Sequence, residues 1–90
     1  MASSDAEQIA SGHAWAKHKA EFPECATVSE FAEHIDHVLT NPTATKKLAK
    51  GRQAFWHSKS KTIVILDPTS NDKGTAFRPS GGKAYFDNLK

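Results

Sequence analysis

The sequence predicts an α+β domain in which N-terminal helices pack on a small antiparallel sheet. Three observations predict it. Apolar residues recur at helical spacing as far as about residue 40. Aromatic and β-branched residues cluster in short runs after Gly51. The helical segments all precede the strands instead of alternating with them, which points away from βαβ units and a parallel sheet. Ninety residues, 38% hydrophobic and 24% charged, are enough for one modest core and are read as a single unit over residues 1–90.

Residues 1–8 are small, polar and acidic and are expected to form a flexible N-terminal segment. From Ala6 to about Ala20 the chain is rich in alanine, with Ile9 and Trp15 as its large apolar residues, and reads as a helix broken or kinked at Gly12. Residues 21–26, with Pro23, form a connection. Thr27 opens the clearest helix: Thr27 and Glu30 have capping-box spacing, and Val28, Phe31, Ala32, Ile35, Val38 and Leu39 fall on one stripe. Asn41 and Pro42 end it, because proline disfavours the helical conformation in the residue before it. Residues 44–50 read as a short helical turn closed by Gly51 in a left-handed conformation. Residues 52–57 and 61–67 read as a hairpin turning at Ser58, Lys59 and Ser60, and the continuous apolar run from Ile63 to Leu66 as a central strand. A polar loop (68–74), a short strand (75–78), a turn (79–82) and a last strand (83–87) complete the chain.

The net charge of +2 conceals an asymmetry. Residues 1–45 carry two lysines against seven carboxylates, a net −5, whereas residues 46–90 carry ten Lys or Arg against three aspartates, a net +7. Lysine and arginine that neutralise phosphates release counterions, so the basic half points to a polyanion partner or to a solvated basic surface. Cys25 is the only cysteine, which excludes an intrachain disulfide and suggests a reducing working compartment. No secretory signal and no apolar run of membrane-helix length is present, so any export would be directed by sequence outside this segment.

His13, Lys17 and His18 form the densest chemical cluster. Metal-free RNA cleavage needs a base for the 2′-hydroxyl, an acid for the leaving 5′-oxygen and a donor or cation for the phosphorane oxygens; histidine and lysine suit these tasks, and exposed helix residues with no role are the competing reading. His13 and Lys17, four apart, share a helix face, but His18 lies about 140° round from His13 on an ideal helix. His34 and His37, three apart, make only a weak metal pair without further ligands of matching spacing; no metal and no cofactor is expected. On the sheet, Thr75, Arg78 and Ser80 offer donors, with Trp56, His57, Phe77 and Tyr85 nearby for the core or for stacking on an unpaired base. Strand alternation places Thr75 and Arg78 on opposite faces. Lys46, Lys47, Arg52, Arg78, Ser80 and Lys83 are the expected backbone-binding residues.

Three stretches together resemble the C-terminal tRNase domain of colicin D and related contact-dependent growth inhibition toxins: Lys17 to Phe22; Phe31 to Gly51, with its Leu39-Thr40-Asn41-Pro42-Thr43; and Phe55 to Leu89, with its Gly-x-x-Tyr-Phe. The likeness spans about residues 13–90. It implies a barnase/EndoU/colicin/RelE-like ribonuclease fold and metal-independent cleavage in a tRNA anticodon loop, leaving a 2′,3′-cyclic phosphate. It also implies export within a larger toxin protein, action in the target-cell cytoplasm, and a cognate immunity protein acidic at its contact surface. Within that pattern His18 matches the catalytic histidine, Lys17 the adjacent lysine and Thr75 the strand hydroxyl. Trp15 stands where the pattern has a second lysine, and His13 is the candidate to supply the missing proton-transfer group. A non-catalytic RNA-binding module and a protein-interaction domain are the alternatives that the residues themselves leave open.

Overall fold

The computed structural model describes residues 2–90. Helix α1 (Ser4–Ile9) starts two residues before Ala6, because Ser3 caps it: its hydroxyl accepts from the backbone N–H of Ala6 at 3.2 Å. Ala6 and Ile9 are fully buried, so this stretch, expected to be a flexible lead-in up to residue 8, is anchored in the core. The helical path continues through a kinked segment (Ala10–Ala14), helix α2 (Trp15–His18) and a 3₁₀ turn (Lys19–Glu21). Gly12 breaks it as the sequence predicts, with φ −79° and ψ −142°.

Helix α3 (Val28–Thr40) follows the predicted signals closely. The N–H of Glu30 donates to Thr27 Oγ1 at 3.2 Å, while the Glu30 carboxylate accepts from the N–H of Ala26 at 2.6 Å, one residue before the cap. Phe31, Ala32, Ile35 and Val38 are buried, whereas Val28, the first residue of the stripe, is exposed at the helix start.

Strands β1 (Ala44–Lys47), β2 (Gln53–His57), β3 (Thr62–Leu66) and β4 (Gly74–Phe77) form an antiparallel meander in the order β1-β2-β3-β4. β3 is central, with Thr62 to Ile65 all buried, as its unbroken apolar run predicts. The helical turn expected at 44–50 is instead β1 followed by a 3₁₀ turn (Ala49–Gly51). Lys46 pairs with Ala54, and Thr43 and Leu48 donate to the carbonyls of Trp56 and Arg52 at 2.7 and 2.9 Å. These ladder bonds override a weak local helical preference. Gly51 does adopt the left-handed conformation, with Lys50 beside it, but the pair closes a hairpin rather than a helix.

The last strand expected at 83–87 is helix α4 (Lys83–Asp87). Phe86 alone among its side chains is buried, against Trp56 with ring centroids 6.5 Å apart, and Lys46 Nζ donates to the carbonyl of Asp87 at 2.6 Å. A cation placed at a helix C-terminus is favourable. With a single buried side chain in five residues, no period distinguishes strand from helix.

The sheet is therefore covered on both faces. Val64 and Ala76 point to the core formed with α1 and α3, while Ala54, Trp56, Ile63 and Ile65 pack with Leu48 and Phe86 on the other side. The acidic residues Asp5, Glu7, Glu30, Glu33 and Asp36 sit on α1 and α3, so the charge asymmetry of the sequence separates the helical layer from the basic sheet layer. Among the described residues no helix is long and apolar enough to cross a membrane.

Candidate functional site

A cleft of about 510 Å³ opens on the sheet face away from α3. Its floor is Ile65, Thr75 and Phe77; His13, Lys17 and His18 form one wall, and Tyr85, Leu89 and Arg52 stand opposite. Register explains the floor: Ile65 pairs with Thr75 and Ile63 with Phe77, which places these side chains on the face opposite Val64 and Ala76.

The wall follows the break at Gly12. On an ideal α-helix His13 and His18 diverge, yet both line the cleft, His13 just after the kink at Gly12 and His18 at the end of α2. His13 Nδ1 is hydrogen-bonded to Asp72 Oδ2, from the loop between β3 and β4. Gly12 makes room for this contact, because a Cβ there would stand 2.9 Å from the Asp72 carboxyl carbon. His13 itself remains open to solvent, with 88% of its side chain exposed.

His18 is held differently. Its Nδ1 lies 2.5 Å from Glu21 Oε2, and its ring rests on Phe77 with centroids 5.7 Å apart. The other oxygen of Glu21 accepts from the backbone N–H of Arg78 at 2.8 Å, tying the histidine to the end of β4. Partial burial acts to raise the Glu21 pKa, but the His18 hydrogen bond, the Arg78 N–H and the two nearby charges hold it below the usual carboxylate value. A carboxylate only accepts, so in both pairs the proton sits on Nδ1 and Nε2 is the nitrogen left for exchange.

Lys17 is exposed and has no protein partner among the described residues, which leaves its ammonium available to an incoming anion. Thr75 is half-buried on the floor. Trp15 packs on Phe31 at 5.2 Å between ring centroids, so it belongs to the helical core and not to the cleft.

The expected backbone-binding residues divide. Arg52 lines the cleft and is braced by Nε and Nη2 hydrogen bonds to the carbonyls of Ala49 and Lys90, each 3.1 Å. Lys47 is exposed beside it in a smaller groove. Lys46 is occupied with the C-terminus of α4, and Lys83 pairs with Asp87 at 2.8 Å.

Arg78 and Ser80 line a separate shallow groove with Lys59 and Lys61. Thr75 and Arg78 do part company, as strand alternation predicts. Arg78 donates to the Glu21 carbonyl at 2.9 Å, pairs with Glu24, covers the Phe22 ring at 4.4 Å and donates to Thr62 Oγ1 at 3.3 Å. Its hydrogen bond brings the Glu24 pKa down to about 2. This arginine locks the connection at 21–26 onto the sheet.

His34 and His37 do not form a ligand set. His34 Nε2 bonds Thr62 Oγ1 at 2.9 Å, and His37 packs edge-on against His57. Among the described residues no group of three or more His, Cys, Asp or Glu is placed to hold a metal ion.

Sequence reasoning missed Glu21 and Asp72. Glu21 follows His18 by three residues, a spacing that places both on one helical side and flags the pair. Asp72 lies in a polar loop with no local signal, and only the fold brings it to His13. No family model and no curated protein matches the chain.

Proposed function

We propose that this chain is a metal-independent endoribonuclease acting on tRNA, the toxin domain of a bacterial competition system, on a fold of the barnase/EndoU/colicin/RelE-like group. One observation supports the reading most: two imidazoles with carboxylates on their Nδ1 atoms, an unpaired ammonium and a hydroxyl line the same open cleft. These groups meet the needs of 2′-hydroxyl attack. One imidazole Nε2 takes the 2′-hydroxyl proton as that oxygen attacks phosphorus, and the other protonates the departing 5′-oxygen. Lys17 and Thr75 stabilise the charge on the phosphorane oxygens. The products are a 2′,3′-cyclic phosphate and a 5′-hydroxyl, and no step calls for a metal ion.

His13 and His18 share the acid and base roles, with Asp72 and Glu21 as their positioning residues. Arg52 and Lys47 extend the positive surface for the backbone of an anticodon loop. A cleft with these cations also suits a cognate immunity protein that presents carboxylates. The domain travels in a larger exported toxin and acts in the cytoplasm of the target cell.

Inducible expression of the chain inside bacteria tests the proposal. Growth arrest with specific tRNA fragments, both absent for His18→Ala, is the expected result. Growth and intact tRNA at full expression of the folded wild-type chain contradict it. Arrest with intact tRNA that persists in His18→Ala favours a protein-interaction domain.

A further inference from the structure

Tyr85 is the one phenylalanine, tyrosine or tryptophan whose side chain is exposed among the described residues, at 46%; the others are buried or half-buried. It stands on the rim of the cleft and meets Phe77 edge-to-face, with centroids 5.4 Å apart. Phe77 in turn touches His18. The three rings form a row from the solvent edge to the imidazole.

The short helix that carries Tyr85 is held at several points. Phe86 packs on Trp56, Lys46 donates to the carbonyls of Phe86 and Asp87, and Arg52 reaches the carbonyl of Lys90 beyond its end. An exposed aromatic on a braced element is a preorganised surface. An aromatic side chain that serves only the core would bury its faces.

We infer that Tyr85 is a base-stacking platform, and that the cleft takes a nucleotide whose base is unpaired and turned out of its helix. The inference rests on the ribonuclease reading and adds to it the side chain that holds an unpaired base of the loop. Lys17 and Arg52 flank the same cleft and suit the phosphates on either side of such a nucleotide, whereas the apolar floor at Ile65 and Phe77 suits a base face. Base pairs inside a duplex keep their faces covered by stacking and offer nothing to the ring. The site therefore selects loops and single strands over helical RNA.

Binding of fully 2′-O-methylated RNA tests this without cleavage. A fluorescent hairpin with a seven-nucleotide loop and a blunt duplex of the same composition are titrated with wild type, Tyr85→Ala, Tyr85→Phe and Tyr85→Trp. Wild type is expected to prefer the hairpin, and Tyr85→Ala to weaken hairpin binding about 5- to 150-fold, the range for loss of one base–aromatic stack. The Phe and Trp variants keep the ring and should stay within about threefold of wild type, since stacking tolerates a change of ring.

Equal hairpin affinity for Tyr85→Ala and wild type overturns the inference, and so does an equal loss on hairpin and duplex. If wild type nevertheless cleaves tRNA, the ribonuclease reading survives that result. Failure of wild type to bind or cleave any RNA removes both. Tyr85 is exposed, and thermal melts of the four proteins verify that each is folded.

Discussion

Glu21 bridges His18 and the end of β4: one carboxylate oxygen lies 2.5 Å from His18 Nδ1, and the other accepts from the backbone N–H of Arg78 at 2.8 Å. The histidine is thereby fixed against the strand that supplies Thr75 and Phe77. Glu21→Gln keeps the size but can present an N–H to Nδ1, which favours the wrong tautomer. It should lower kcat about 10-fold or more, through loss of the carboxylate that fixes the imidazole tautomer, with a smaller change in KM. The pH–rate profile should also shift. An unchanged profile would assign Glu21 a purely structural role.

Asp72 gives the matching prediction for His13. Asp72→Asn should lower kcat about 10-fold or more, and in the double variant with His13→Ala the two losses should not multiply, because both act through one group. Independent losses measured in that cycle would separate Asp72 from His13.

Lys17 has no structural partner, so its removal tests charge stabilisation without disturbing the fold. Lys17→Ala should reduce kcat about 100-fold, within the range for losing one transition-state donor, while the melting temperature stays near wild type. Lys17→Arg should restore part of the activity. A KM effect alone would mean that Lys17 binds ground-state phosphate only.

Gly74 tests how β4 is set. A Cβ there would lie 1.8 Å from the Ile65 carbonyl oxygen, and the residue has φ +135°. Gly74→Ala should cost at least about 2–3 kcal/mol, from backbone strain and the displaced ladder, measured by chemical denaturation. A cost below about 0.5 kcal/mol, the level of an ordinary surface change, would contradict the strand register described above.

Stability should also fall in mild acid. Burial pushes the His34 pKa down, with the Arg78 charge adding to it; partial burial, then His37 and Lys59, do the same for His57. The folded state thus favours the neutral rings, and the unfolded chain takes up protons first as pH drops below 6.5. This contribution is fully present above 6.5 and is lost as pH falls toward the lower folded values. The melting temperature should decline between about pH 7 and pH 5, before the carboxylates of Glu21 and Glu24 titrate. His34→Gln with His57→Gln should flatten that slope; an equally steep slope in the double variant would assign it to other groups.

Local chemistry carried much of the fold into the sequence. The Thr27 cap, the stripe from Phe31 to Val38, the break at Gly12 and the unbroken run of β3 each act within a few residues, so each was legible. Residues 44–47 and 83–87 were not, because pairing with β2 decides one and the Trp56–Phe86 contact the other. At the site, His13, Lys17, His18 and Thr75 were legible as residue types suited to phosphate chemistry. Their convergence depends on how the kinked helix packs against the sheet and on strand register. Lys46 and Lys83 show the converse: counted as free cations in the sequence, they hold α4 in the structure.

The most direct test is the chemistry of the cut end. Purified protein incubated with total tRNA in excess EDTA should yield discrete fragments ending in 2′,3′-cyclic phosphate, and His18→Ala should yield none at the same concentration. Intact tRNA at high wild-type concentration, or fragments with 3′-hydroxyl ends, would contradict the account.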